Sequence, residues 1–244
     1  MRTPRIHVPQ PLACGDKVRL PRAASEHLAR VLRLGAGDPL VLFDGDGNEY
    51  KGELVDAARA GIGVRVGEPL AHRPVESPLH LTLAQSIARG EKMDWIVQKA
   101  TELGVTAIVP IVTERTEVRF DARRAERRLA HWQAVIVAAC EQSGRVRVPS
   151  VAPPQGLADW IAGLGVTTGL RLVLDPEGEL STRKVERFQR LSLVVGPEGG
   201  LSETDLTALR NAGFCGLRLG PRILRAETAG VSALAALQAL HGDF

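Results

Sequence analysis

The hydrophobic positions of the chain fall into two rhythms, and the first covers its N-terminal part. Five short runs of alternating apolar and polar residues predict β-strands at 5–8, 17–20, 40–43, 49–55 and 62–66. Between the second and third strands, Leu28, Val31 and Leu32 recur at helical spacing and predict a helix at 23–34. This pattern is typical of a small β-barrel, a fold that often binds RNA.

The second rhythm begins after a proline-rich segment at 68–78, which is the predicted linker. Strands are predicted at 79–84 and 107–112, and helices at 91–103, 121–141 and 157–164. Three further strands and a last helix at 226–240 follow, with Val231, Leu234 and Leu237 on the inner face of that helix. This alternation predicts an α/β domain with a mainly parallel sheet. We therefore place a β-barrel domain at 1–72 and an α/β domain at 73–244.

Each of the last three strands runs into a turn built on a proline. The strands at 170–174, 191–195 and 214–219 lead into Asp175-Pro176, Gly196-Pro197 and Gly220-Pro221. The carboxyl ends of parallel strands meet at one edge of the sheet, where α/β proteins bind their ligands. We therefore predict that these three loops form one ligand site.

The composition of the second and third loops suits a flat, apolar ligand. Gly199 and Gly200 allow the backbone to approach a ligand closely, and Ser202 can cap the next helix with Asp205 bonding back to it. An adenine-sized slot can be walled by Leu219, Ile223 and Leu224. The chain lacks both the GxGxxG and the GxxxxGK[ST] patterns, which argues against a nicotinamide dehydrogenase and against nucleotides anchored by their phosphates.

Charge gives a weak indication of an acidic partner. The formal net charge is +3 and the isoelectric point is near 9.0, so the balance is only mildly basic. Of the 31 basic residues 26 are arginine, the side chain suited to bidentate phosphate contacts, although a GC-rich genome explains the same excess. Arginines cluster near the N-terminus and along 115–128, and a solvated helix face is the simpler interpretation of the second cluster.

The cysteines and the N-terminus bear on cofactor and compartment. Cys14, Cys140 and Cys215 stand alone, without CxxC or paired His, so neither a metal nor a disulfide framework is expected. Cys140 could attack a pyrimidine as a nucleophile, but its apolar helical setting favours a buried, inert thiol. The N-terminus lacks an apolar signal core and no run is long enough to span a bilayer, so we expect a cytoplasmic protein.

Several long motifs, in order along the chain, carry a specific resemblance. They are MRTPRIHV, HLARVLRL, SIARGEKMDWIVQKATELGV, AACEQSGRVRVP, LVVGPEGGLSETD and LGPRILRAETAGVSALAALQ. On these motifs the chain resembles the 16S ribosomal RNA uridine-N3 methyltransferases, a family of the SPOUT class that uses S-adenosylmethionine. The resemblance implies methylation of N3 of a uridine in the small ribosomal subunit, with neither a metal nor a covalent enzyme intermediate.

The same resemblance implies a fold and an assembly. The N-terminal barrel would be PUA-like and bind RNA, and the parallel sheet would end in a C-terminal trefoil knot, a topology too rare for periodicity to predict. The enzyme would be a homodimer through the knotted domain, with an RNA site shared between subunits. The three proline loops would hold the cofactor through Leu174, Asp175, Pro176, Gly196, Pro197, Glu198, Gly199, Gly200, Leu219, Gly220, Pro221, Ile223, Leu224, Arg225 and Thr228.

Roles for single side chains follow from the chemistry that the resemblance implies. Loss of the N3 proton leaves an anion on the uracil, which an arginine can stabilise electrostatically. Arg225 is the first candidate, and Arg5 and Arg145 are candidates from a partner subunit. Glu198 would accept the proton or orient the cofactor, and we favour orientation. The target base must leave its stack, and RNA phosphates would be held by Arg2, Arg5, Arg30, Arg33 and Arg145.

Other interpretations stay open on the sequence. Arg225 and Glu227 could form no more than a solvated ion pair, and Thr228 could do no more than cap its helix. A SPOUT ribose 2′-O-methyltransferase acting on tRNA or rRNA could share the same loops. A non-catalytic RNA-binding assembly factor would need the arginines but not the glycines.

Overall fold

The computed structural model describes residues 3–58, 61–71, 75–117, 121–165 and 169–244. Two compact units make up the chain. One is formed by Met1–Glu76 together with Cys140–Val148, and the other by Ser77–Ala139 together with Pro149–Phe244. The domain limits at 1–72 and 73–244 stay a prediction. To them the structure adds that residues 140–148, distant in sequence, pack with the N-terminal unit.

The N-terminal unit is built on a five-stranded sheet. Its strands are β1 (Arg5–His7), β2 (Lys17–Arg19), β3 (Pro39–Phe43), β4 (Glu49–Ala58) and β5 (Gly61–Pro69). They lie in the order β1-β3-β4-β5-β2, with β1 parallel to β3 and the other neighbours antiparallel. Alternate side chains such as Leu40, Leu42 and Val64 enter one hydrophobic core, so the strands predicted from alternation are present.

The N-terminal helix departs from the predicted regular helix at 23–34. It begins as α1 (Arg22–Glu26) and continues as a π-helical segment, His27–Leu32. Leu28 is fully buried, whereas Val31 and Leu32 are 65 % and 37 % exposed. An α-helix would place Val31 on the same face as Leu28, but the wider π turn rotates Val31 away from the core.

The C-terminal unit contains a parallel sheet, which confirms the predicted α/β class. Its strands are β6 (His80–Ser86), β7 (Ala107–Val112), β8 (Ser150–Val151), β9 (Gln155–Gly156), β10 (Leu170–Leu174), β11 (Leu180–Ser181), β12 (Arg190–Val195) and β13 (Cys215–Arg218). The order is β11-β13-β10-β12-β6-β7-β8, and β9 also pairs with β7. Every pair is parallel. The trefoil knot stays a prediction.

Helices alternate with these strands, as the second rhythm predicts. They are α2 (Lys92–Glu102), α3 (Ala122–Ser143), α4 (Leu157–Gly163), α5 (Glu203–Asn211) and α6 (Ala226–His241). A short 3-10 turn covers Thr182–Lys184. Among the described residues, no helix combines the length and the apolar character needed to cross a membrane.

Two details predicted from the sequence are the cap at the start of α5 and the inner face of α6. The predicted capping box is present, with Ser202 Oγ accepting from the Asp205 amide and Asp205 Oδ2 accepting from the Ser202 amide, both at 3.1 Å. On α6, Leu234 and Leu237 are buried as predicted, but Val231 is only partly buried. Gly230 and Ala233 lie on the buried face instead. Because apolar residues surround most of α6, its pattern does not determine which side is inner.

Candidate functional site

Three loops leave the parallel strands β10, β12 and β13 at one edge of the sheet. These strands are neighbours in the order β13-β10-β12, so the loops that follow them lie side by side, as the sequence predicts. We call them the first loop (175–178), the glycine loop (196–200) and the third loop (219–225). Together they surround a cavity of about 1060 Å³.

The cavity wall contains all of the predicted cofactor-binding residues except one. Those that line it are Leu174, Asp175, Pro176, Gly196, Pro197, Glu198, Gly199, Gly200, Leu219, Gly220, Pro221, Ile223, Leu224 and Arg225. The exception is Thr228, which is exposed in the first turn of α6 and whose amide donates to the Arg225 carbonyl at 2.9 Å. The wall also contains Lys92, Glu177, Val195, Leu201, Leu206, Leu217, Arg218, Arg222, Ala226 and Ala229.

A close backbone approach sets the position of the first loop. A Cβ atom at Gly178 would lie 2.6 Å from both the carbonyl carbon and the oxygen of Gly216 in β13. A Cβ at Gly216 would in turn lie 3.1 Å from Gly178 Cα. A Cβ at Gly178 would overlap rigid backbone, whereas a Cβ at Gly216 would make a tight contact, so the approach requires glycine at 178 above all. The pair therefore holds the first loop against β13.

The glycine loop is a tight turn held from outside. The Gly200 amide donates to the Pro197 carbonyl at 2.9 Å, and Gly200 has a left-handed backbone with φ of 72°. Arg115, which follows β7, donates from Nη1 to the Gly199 carbonyl at 3.0 Å. The loop thus presents its inner side to the cavity while its outer side is bonded to another element.

A lysine between two carboxylates lies at the edge of the cavity. Lys92, the first residue of α2, places Nζ 3.1 Å from Glu198 Oε1 and 3.5 Å from Glu227 Oε2. Sequence spacing allows a local ion pair between Arg225 and Glu227. In the structure Glu227 instead contacts Lys92, on a distant element. The sequence places Lys92 inside one of its long motifs but gives no sign that it meets these two acids.

The pKa values of this cluster show how its charges interact. Burial disfavours the charge of Glu198, but hydrogen bonds from backbone amides and from Lys92 outweigh it, so the pKa of Glu198 lies below its ordinary value. The hydrogen bond to Glu198 is the main cause that raises the pKa of Lys92. Both groups are therefore charged at neutral pH.

Arg225 stands at the junction of the third loop and α6. It is the N-cap residue of α6 with extended backbone, and its carbonyl accepts from the amides of Thr228 and Ala229 at 2.9 and 2.8 Å. Its side chain is exposed and belongs to the cavity wall. The helix start fixes the backbone of this residue, while the guanidinium remains open to the cavity.

The residues predicted to hold RNA fall into different environments in the N-terminal unit. Arg5 donates from Nε to Glu49 at 2.9 Å and from Nη1 to the Cys140 carbonyl at 2.7 Å, and its side chain is 8 % exposed. Arg145 pairs with Glu76 at 2.8 Å and is 5 % exposed. These two guanidiniums are occupied inside the unit, so neither offers an exposed face to a phosphate.

The remaining predicted RNA contacts are Arg30, Arg33 and Arg2. Arg30 and Arg33 are exposed on and after the π-helical segment, and Arg33 has a left-handed backbone with φ of 55°. Arg2 lies outside the described residues. The surface around Val31 therefore combines two exposed guanidiniums with exposed apolar side chains.

The structure also shows the environment of Cys140. Cys140 is fully buried, and burial raises the pKa of its thiol to about 12. It therefore remains a thiol at neutral pH, which confirms the interpretation as an inert core residue. Within the part of the chain that the structure describes, no cluster of three or more His, Cys, Asp or Glu residues could hold a metal ion.

Comparisons with known proteins cover both units. A family model described as an RNA methyltransferase domain matches residues 75–238, more than half of the chain. A second model, described as an RNA methyltransferase PUA domain, matches residues 20–62 and confirms the PUA-like N-terminal domain. A relative named ribosomal RNA small subunit methyltransferase E, from Mycobacterium tuberculosis, is 34 % identical over 220 residues, 88 % of this chain and 83 % of the relative. The chain belongs to the ribosomal RNA small subunit methyltransferase E family.

Other members of the family and two solved structures agree with this assignment. The Bacillus subtilis member is 31 % identical over 229 residues, 89 % of each chain. The crystal structure of the Neisseria gonorrhoeae member, bound to S-adenosyl methionine, is 37 % identical with a TM-score of 0.89 and covers 100 % of both chains. A Legionella pneumophila protein solved in complex with the cofactor SAM is 36 % identical with a TM-score of 0.94, again over 100 % of both chains.

Proposed function

We propose that this protein transfers a methyl group from S-adenosylmethionine to N3 of a uridine in the 16S rRNA of the small ribosomal subunit. The observation that supports this most directly is the cavity formed by the three proline loops, in a chain that aligns end to end with a relative bound to S-adenosyl methionine. Family membership supports ribosomal RNA as the substrate. The choice of N3 rests on the resemblance of the long motifs.

The residues around the cavity fit this cofactor in size, walls and charge. A volume of about 1060 Å³ slightly exceeds the usual range of small-molecule sites, about 300–1,000 Å³, and leaves room for the whole cofactor. Leu174, Leu219 and Leu224 supply apolar wall for an adenine, and the glycine loop brings bare backbone to the surface. The cofactor supplies an electrophilic methyl group carried on a sulfonium cation, a charge that the nearby carboxylate of Glu198 favours.

The protein's own part in the reaction is to position N3, to help remove its proton and to stabilise the resulting anion. We assign the last role to Arg225, because its exposed guanidinium is anchored at a helix start on the cavity wall. Glu198 is assigned to orientation of the cofactor. Its lowered pKa makes it a weak proton acceptor, and its Oε1 already accepts a hydrogen bond from Lys92.

RNA and a second subunit complete the proposal. Arg30 and Arg33 are the described candidates for RNA phosphate contact that remain exposed, and the target base would leave its stack to reach the cavity. We infer a homodimer through the C-terminal unit, in which large apolar side chains such as Trp95, Leu240 and Phe244 are exposed. A cytoplasmic location follows from the substrate.

A labelling experiment tests the reaction and its position. The protein is incubated with methyl-tritiated S-adenosylmethionine and either free 16S rRNA or assembled small subunits from a strain that lacks the enzyme. The RNA is then digested to nucleosides. Label in N3-methyluridine is expected. Label on a ribose would instead identify a 2′-O-methyltransferase, and failure to bind S-adenosylmethionine would favour an RNA-binding assembly factor.

A further inference from the structure

Lys92 connects three separate elements at the edge of the cavity. It is the first residue of α2, Glu198 lies in the glycine loop, and Glu227 lies in the first turn of α6. The contact to Glu198 spans 106 positions of sequence. No other described ion pair joins the glycine loop to another element. The lysine is therefore placed to fix the loop against both helices.

The two carboxylates differ in exposure, and Glu227 is the more enclosed partner of Lys92. The side chains of Lys92 and Glu227 are 36 % and 18 % exposed. Glu227 Oε2 is covered, and among the described residues it accepts no hydrogen bond, so the ammonium at 3.5 Å is the cation that compensates it. A covered carboxylate oxygen without compensation is costly, so α6 and Lys92 hold each other in place.

The charges of the cluster do not cancel. One ammonium faces two carboxylates, which leaves an excess of negative charge where the glycine loop meets the cavity. Without the ammonium, Glu198 and Glu227 would lose the cation that both contact, and the ionic link between the glycine loop and α6 would be lost. The cation therefore keeps two acids close to a site that, on the proposed function, receives a cationic ligand.

We propose that Lys92 is a positioning residue for S-adenosylmethionine: by bridging Glu198 and Glu227 it holds the glycine loop in the conformation that binds the cofactor. This inference rests on the proposed function for the identity of the ligand. Lys92 acts through the loop and takes no part in methyl transfer. Its loss raises KM for the cofactor and leaves kcat at saturating cofactor near that of the unmodified protein.

The test compares matched variants of the full chain by calorimetric titration with S-adenosylmethionine. Lys92→Met is expected to weaken binding roughly fivefold, whereas Lys92→Arg, which retains a cation, stays within about twofold. Lys99→Met is the control, because Lys99 lies on the same helix and pairs with Glu102 away from the cavity wall. It is expected to bind like the unmodified protein.

The pH dependence of S-adenosylmethionine binding distinguishes the proposed role of Lys92 from a general loss of stability. The groups that act on Glu198 are Lys92 on α2 and the backbone amides of Arg89 and of Glu198 itself, while Arg115 bonds the neighbouring Gly199 and Glu227 on α6 meets the same ammonium. Glu198 must be charged to hold Lys92. Binding of S-adenosylmethionine is therefore constant above the lowered pKa of Glu198 and weakens as the pH falls through that pKa. In Lys92→Met this pKa rises, and the acid limb moves to higher pH.

A second variant keeps the proposal testable if Lys92→Met folds poorly. Lys92→Gln keeps a polar side chain but removes the cation, and it is expected to weaken binding of S-adenosylmethionine about as much as Lys92→Met. Unchanged affinity and an unchanged acid limb in Lys92→Met would overturn the inference and leave the proposed function standing. Absence of binding by the unmodified protein would overturn both.

Discussion

The proposed role of Arg225 in the reaction can be tested directly by substitution. Arg225→Ala is expected to reduce methyl transfer by roughly 100-fold, because it removes the donor that would stabilise the uracil anion. Binding of S-adenosylmethionine should survive, since the apolar walls and the glycine loop remain. Tritium transfer and calorimetry measured in parallel separate the two effects.

An exposed arginine outside the cavity wall supplies the control for the loss of a positive charge. Arg210→Ala removes an exposed guanidinium from α5, where it pairs with Glu203 outside the cavity wall. It should leave transfer unchanged. Near-normal transfer by Arg225→Ala would remove Arg225 from the catalytic assignment.

Single residues also show where sequence reasoning succeeds and where it stops. The proline and glycine positions of the three loops are recognisable from local composition, because turns need particular backbone conformations. Lys92 and Glu227 are not, because their meaning lies in a contact between positions 92, 198 and 227 that no spacing reveals. Arg5 and Arg145 are buried, whereas Arg30 and Arg33 are exposed. The sequence does not distinguish them, because all four have the same side chain.

At the scale of elements, the packing of the first loop against β13 depends on the pair Gly178 and Gly216. Gly178→Ala would place a Cβ 2.6 Å from backbone atoms of Gly216, so the loop or the strand must move. A loss of about 1–3 kcal/mol in unfolding free energy is expected, as for other overpacked sites. Denaturant unfolding measures it.

The matched control is Gly199 in the glycine loop. A Cβ at Gly199 would lie 3.6 Å from Arg115 Cβ, an ordinary contact, and Gly199 has no left-handed backbone. Gly199→Ala should therefore retain the stability of the unmodified protein. Equal stability of both variants would show that the approach of Gly178 to Gly216 can relax without cost.

The elements themselves follow closely from hydrophobic pattern and capping signals. Period-2 alternation predicts the five N-terminal strands, and Ser202 with Asp205 predicts the start of α5. Pattern fails at the π-helical segment and on α6. In the π-helical segment the hydrogen bonding widens the turn. On α6 nearly every side is apolar, so the packing against neighbouring elements decides which face is buried.

At the scale of the whole molecule, residues 140–148 belong with the N-terminal unit. Within that unit Glu76 accepts from the Arg145 side chain and from the backbone amides of Val146 and Arg147. Arg145→Met leaves the partly buried Glu76 carboxylate without its cation, and a loss of about 3 kcal/mol in the free energy of unfolding is expected. Arg210→Met, which breaks an exposed pair, should cost little. Similar losses in both variants would contradict a stabilising role for the buried pair.

The inferred homodimer is a second property of the whole molecule. Exposed apolar side chains at the end of α6, Leu240 and Phe244, are 51 % and 66 % exposed in the single chain. Light scattering is expected to give a mass near twice the 26.2 kDa of one chain. A mass of one chain at micromolar concentration would reject the dimer.

The sequence by itself determined the α/β class, the longer strands, the Ser202 cap and the three loops, because these depend on periodicity and on the backbone preferences of neighbouring residues. The two-residue strands β8, β9 and β11 are too short to give a periodic signal. Tertiary structure alone decided that Lys92 meets Glu198 and Glu227, that Gly178 touches Gly216, and that Arg5 and Arg145 are buried. These are contacts between positions far apart in the chain. They depend on how elements pack, and a local pattern carries no information about that.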